Sequence, residues 1–103
     1  MKTYNIETPI KDWVLTHKND MFYDILEECE KEVNSSKESV TVAVIRSFSG
    51  VTYFNLPTLD SITQSLSKCI KYFVENEEYE LAARARDCSL AWMNKEYIKK
   101  NPK

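Results

Sequence analysis

Glycine is nearly absent from this chain: Gly50 is the single one in 103 residues. Loops that cradle phosphate need several glycines where backbone meets ligand, so nucleotide-cradling motifs are excluded. Cysteine is sparse too, at Cys29, Cys69 and Cys88, and His17 is the one histidine. No C-x-x-C or H-x-x-x-H spacing occurs, which removes the recognised zinc patterns and leads to an expectation of no metal and no cofactor. An odd number of thiols, with no secretory leader after Met1, predicts reduced cysteines in a cytoplasmic setting. Long apolar runs are missing: none exceeds the four residues of Val42 to Ile45, far short of a membrane span. No one sign of charge dominates: 14 basic and 16 acidic side chains leave a net charge of −2. That gives no global attraction to nucleic acid.

What is present suits one small globular domain over residues 1–103, with 43% hydrophobic and 12% aromatic residues. Thr8-Pro9 reads as a helix start, with Thr8 as cap and Pro9 at the first helical position of a short helix over 9–17. Asn19-Asp20 offers a second start. Phe22, Ile25, Leu26, Cys29 and Val33 then repeat at three-and-four spacing, which predicts an amphipathic helix. Asp24, Glu27, Glu28, Glu30, Lys31 and Glu32 fall on its outer face.

The middle predicts a β-hairpin. Residues 39–47 are rich in β-branched side chains, 51–56 form a second such run, and Gly50 lies at the turn between them. An isolated hairpin is marginal in water, so it must pack on helices, gain a third strand or pair with another copy. Residues 3–6 are a candidate third strand. The segment 58–100 reads as two helices. Thr58 or Asp60 caps the first, whose apolar stripe is Leu59, Ile62, Leu66, Cys69, Ile70 and Phe73. Its pattern breaks at Glu75-Asn76-Glu77-Glu78, where a turn is expected near Asn76. Tyr79, Ala82, Ala83, Leu90, Met93 and Tyr97 form the expected stripe of the second helix. The fold class is therefore α+β: N-terminal helices over 1–36, a hairpin over 37–57 and an antiparallel helical hairpin over 58–100.

One string is more specific. Glu77-Glu78, Tyr79, Glu80, Ala82-Ala83 and Arg86-Asp87 resemble the UVR motif of the B and C subunits of the bacterial excision nuclease. The likeness covers about residues 66–94. It implies a helical hairpin that binds a second hairpin or another protein and has no catalytic residues of its own. The side chains agree with that geometry. Ala82 and Ala83 are small enough for a neighbouring helix to come close. Arg86 lies seven residues after Tyr79 and four before Leu90, so it is expected on the apolar side, paired or facing a partner, with Arg84 solvated. After Arg86-Asp87 the string departs from the motif, continuing as Cys88-Ser89-Leu90-Ala91-Trp92-Met93.

Catalytic constellations do not emerge. His17 has no Ser or Cys beside it, the carboxylates lie on solvated helix faces, and each Cys sits on an apolar stripe where it acts as a small hydrophobe. Trp13 and Trp92 are candidate partner anchors, since tryptophan is enriched at binding hot spots. The expected function is non-enzymatic protein–protein interaction, including self-association. The partner-binding set is Tyr79, Ala82, Ala83, Arg86, Asp87, Leu90, Trp92 and Met93. The glycine-poor, lysine- and asparagine-rich composition fits a small phage or bacterial accessory protein that binds a host factor. The alternatives are a nucleic-acid-associated protein using Lys68, Lys71, Arg84, Lys95, Lys99 and Lys100, or a small enzyme with converged residues.

Overall fold

A computed structural model describes residues 1–100, with side chains as far as Lys95. Three strands and four helices follow in the order β1 (Lys2–Asn5), α1 (Ile10–Thr16), α2 (Lys18–Glu32), β2 (Val40–Ser47), β3 (Gly50–Leu56), α3 (Leu59–Glu75) and α4 (Tyr79–Lys100). This is the α+β arrangement of N-terminal helices, β-hairpin and C-terminal helical pair. No helix among the described residues is long and apolar enough to cross a membrane.

The sheet has the order β1-β2-β3. β1 lies parallel to β2, with Tyr4 opposite Ile45, and so supplies the third strand that the hairpin needs. A parallel pair requires a long crossover, which α1 and α2 provide. β2 and β3 pair antiparallel around a tight turn at Phe48-Ser49, with Gly50 at φ +135°. Their register shifts between Thr41 and Ala43. That bulge breaks the in–out alternation of β2, so Val42 and Ala43 are both buried side by side.

The two N-terminal helix starts differ from expectation. Pro9, at φ −57° and ψ 141°, is itself the cap of α1, and no side chain closes that end. His17 ends α1 and begins α2 in one residue, so Asn19-Asp20 lies inside α2 and caps nothing. The imidazole Nδ1 lies 2.8 Å from the Trp13 carbonyl and the ring stacks on the Trp13 indole at 4.5 Å. These contacts hold Trp13 inside with Ile6, Met21 and Ile45, so it is no partner anchor. α3 follows the sequence closely. Thr58 caps it in a reciprocal box with Ser61, and Ile62, Leu66, Cys69 and Phe73 form its buried stripe.

The expected acidic outer face of α2 is partly an inner one. β1 lies across the helix and buries Asp24 and Glu28. Asp24 accepts a hydrogen bond from the Tyr4 hydroxyl and lies 3.2 Å from the Lys2 ammonium. Glu28 binds the N-terminal ammonium at 2.6 Å and Lys31 at 3.3 Å.

Candidate functional site

The turn between α3 and α4 is built by the break in pattern. Asn76 closes α3, and Glu77 follows in the left-handed region at φ 59°. The Glu78 N–H reaches the Phe73 carbonyl at 2.7 Å and the Glu77 N–H reaches Val74 at 3.1 Å. These two bonds satisfy carbonyls that the helix end leaves open and reverse the chain into α4. α3 and α4 then pack along their length as an antiparallel pair.

α4 is apolar on two sides. The side chains turned inward are Ala82, Ala85, Cys88, Ser89 and Trp92. Four of these are small, which lets α4 approach closely. Trp92 is fully buried, and its indole Nε1 donates to the Cys29 carbonyl at 3.0 Å. Ala82 and Trp92 therefore leave the partner-binding set and join the core.

The side chains turned outward include Tyr79, Arg86, Asp87, Leu90 and Met93, with Ala83 half-buried. Tyr79, Leu90 and Met93 are 63%, 56% and 49% exposed. Tyr79, Ala83, Arg86, Leu90 and Met93 succeed one another at steps of four, three, four and three, the seam spacing of paired helices. The stripe is about 21 Å long at 1.5 Å per residue. The side chain of Tyr97, which the sequence pattern adds to it, lies outside the described residues.

The two arginines exchange the roles expected of them. Arg86 lies on this outer face and bonds its neighbour Asp87, with Nε and Nη2 at 3.2 and 3.1 Å from Oδ1. Both side chains are well over half exposed. It is not covered by the hairpin, because the inward stripe runs one residue earlier, through Ala85. Arg84 reaches α2 instead and grips Glu30 through Nε–Oε2 at 3.2 Å and Nη2–Oε1 at 2.5 Å. The hydrogen bond to Glu30 raises the guanidinium above its ordinary range.

The alternative basic set does not converge. Arg84 is committed to Glu30. Lys95 lies over the Trp92 ring at 4.2 Å and donates to the Glu32 and Lys37 carbonyls at 3.4 and 2.6 Å. Burial lowers its pKa, and it closes the C-terminal end of α2. Lys68 and Lys71 are exposed on α3 beside a groove. The side chains of Lys99 and Lys100 lie outside the described residues.

The three cysteines meet in one core cluster as free thiols. Burial pushes the Cys69 thiol up to about 12 and Cys88 to about 11, and Cys29 is raised further. Thiols held protonated in this way are poor nucleophiles and poor metal ligands. Among the described residues, no group of three or more His, Cys, Asp or Glu side chains is placed to hold a metal ion.

Comparison with known proteins finds no matching family model, curated protein or solved structure.

Proposed function

We propose that this chain is a non-enzymatic protein-interaction module that docks through the outer stripe of α4, and that a second copy of the chain is its occupant. The observation that carries the reading is the double-sided apolar character of α4. A helix lying on a core needs one apolar stripe. α4 has a complete inward one and still turns Tyr79, Leu90 and Met93 outward at seam spacing.

The composition of the stripe supports self-pairing. An isologous interface places the same patch on both copies, so the patch must complement itself. In an antiparallel pairing centred on Arg86, Tyr79 comes opposite Met93, seven residues to either side, and small Ala83 comes within one residue of facing large Leu90. Asp87 supplies a carboxylate for the partner's guanidinium beside the one it already meets. The resemblance of residues 66–94 to the UVR hairpin, a unit that pairs with a second hairpin, supports the same reading. An under-stranded hairpin is no longer an argument for self-association, since β1 fills one edge of β2.

Sedimentation equilibrium tests the proposal. The wild-type chain should exceed its 12.1 kDa monomer mass. The Leu90→Glu/Met93→Glu variant should sediment as a monomer that stays folded, with the far-ultraviolet circular dichroism of the wild type, because both side chains are already exposed. A wild-type chain that is monomeric at all workable concentrations overturns self-association. A variant that still dimerises moves the interface away from α4.

A further inference from the structure

A groove of about 640 Å³ runs between α2 and α3, away from the outer stripe of α4. Its walls are held together at Phe22 by two contacts. The Phe22 and Tyr72 rings stack at 4.5 Å, and the Cys69 thiol donates to the Phe22 carbonyl at 3.5 Å. Met21, Phe22, Ile25, Phe54 and Tyr72 form an apolar floor, and Lys18, Lys68 and Lys71 rim it.

The lysines say what covers this floor. Most described cations in this net-acidic protein already have a partner. Lys2, Lys31, Lys37, Arg84 and Arg86 each make an ion pair. Lys95 is bound to two carbonyls. Lys11, Lys18, Arg46, Lys68 and Lys71 make no ion pair among the described residues, and three of these five ring the one groove.

We infer that the groove receives an acidic amphipathic helix from a partner protein. On α3 the lining extends from Ser65 to Asn76, about 16 Å or three helical turns at 1.5 Å per residue. Apolar side chains at i, i+3 or i+4 and i+7 of such a segment would seat on the aromatic floor. Carboxylates on its flanks would meet Lys18 on one wall and Lys68 and Lys71 on the other. Glu75 also lines the groove and gives the site a direction by repelling acid at the C-terminal end of α3. A single-headed amphiphile such as a long-chain carboxylate carries one charge and would leave cations on the opposite wall unmatched.

The experiment is selection of a displayed library of random peptides, about three to four helical turns long, on the whole chain. Enriched peptides are then titrated calorimetrically into the wild type and into Lys18→Glu and Lys68→Glu/Lys71→Glu variants. These lysines are exposed, and unchanged melting shows that the variants fold. The expected result is enrichment of acidic sequences with apolar residues at helical spacing. Their affinity should fall about tenfold or more in the charge-reversed variants and weaken with salt. A library that yields no binder overturns the inference. So do enriched peptides that lack acidic residues or bind the variants equally well. Stoichiometric binding of laurate that displaces the peptides would assign the groove to a small amphiphile instead. None of these results depends on the oligomeric state, so they stand or fall apart from the α4 interface.

Discussion

The indole of Trp92 donates its N–H to the backbone carbonyl of Cys29, 3.0 Å away, and this bond fastens α4 to α2 across the core. The same carbonyl already accepts the Val33 N–H at 3.1 Å within its own helix end. Trp92→Phe therefore removes one donor and orphans nothing. The expected cost is about 1 kcal/mol for the bond, with a further loss from the smaller ring. Trp92→Ala opens a cavity at a fully buried site and should cost about 3–5 kcal/mol. Urea unfolding of the two variants checks the order. Equal midpoints for Trp92→Phe and wild type would mean that the bond adds nothing to stability.

Arg84 and Arg86 separate a tertiary contact from a local one. Arg84 spans from α4 to Glu30 on α2, whereas Arg86 meets only its neighbour Asp87 among the described residues. Arg84→Ala should lower stability by up to about 1 kcal/mol, the scale of a well-formed surface pair. Arg86→Ala should weaken self-association and leave the melting curve unmoved at dilutions where the wild type is itself dissociated. A double-mutant cycle of Arg84 with Glu30 isolates the coupling. No coupling in that cycle would remove Arg84 from the account of how α4 is held.

The legible parts of this fold are those where one signal stands alone. α3 has a capping residue, an apolar stripe on one side and a clear stop, so Thr58 to Asn76 could be read directly. α4 carries two competing stripes. The large apolar side chains Tyr79, Leu90 and Met93 dominate the sequence pattern. The core, however, takes the small ones, Ala82, Ala85, Cys88 and Ser89, because closeness of approach decides which face goes inward. Asp24 reads as solvated by its charge, and nothing local reveals that β1 will lie across it with Tyr4 and Lys2. The α2–α3 groove is illegible for a similar reason, since Phe22 and Tyr72 come from segments that meet only in the folded chain. Lys68 and Lys71 stand out in the sequence only as members of the basic set with Arg84, Lys95, Lys99 and Lys100.

Removing the Tyr4 hydroxyl tests the buried carboxylate. Asp24 is 1% exposed, and Tyr4 and Lys2 are the groups that face it. Tyr4→Phe takes away one of them and leaves Oδ2 without a donor, at a cost of about 1–3 kcal/mol. Burial, then the hydrogen bond to Asp24, raises the phenol above its ordinary 10.0. A raised pKa means that the folded state holds the proton more tightly. This contribution is present below pH 10 and is lost as pH rises beyond it. Wild type should therefore lose stability in alkali faster than Tyr4→Phe, measured by chemical denaturation across that range. Parallel pH profiles would sink the assignment.

Glu28 governs the acid side. Burial alone would raise its carboxyl, but hydrogen bonds from the N-terminal ammonium and from Lys31 outweigh it and hold the group below its ordinary 4.5. A depressed carboxyl stabilises fully above its unfolded pKa, and the contribution is lost as pH falls through the folded value. Stability should begin to drop below about pH 4.5 as this cluster is protonated. Glu28→Gln should flatten that drop while lowering stability at neutral pH. The check is the unfolding midpoint of both proteins followed from neutral to acid pH. A variant with the wild-type acid slope would show that other carboxylates set it.

Glu77 occupies a backbone position that favours glycine. At φ 59° its Cβ crowds the following carbonyl, a strain of roughly 1–2 kcal/mol for a residue with a side chain. The geometry is imposed by the two hydrogen bonds that end α3, from Glu78 to Phe73 and from Glu77 to Val74. Glu77→Gly relieves the strain and keeps both bonds, while adding about 0.4–1 kcal/mol of freedom to the unfolded chain. The balance is a gain of between zero and about 1.6 kcal/mol. Glu77→Val, branched at Cβ, should fall below wild type, and Glu77→Asn should lie between Val and Gly, since Asn tolerates the left-handed region. Thermal unfolding of the series measures the order Gly, Asn, Val from most to least stable. If Gly proved no more stable than Val, the turn between α3 and α4 would have to form without the left-handed residue, and the two bonds that reverse the chain into the α4 interaction face could not be as described.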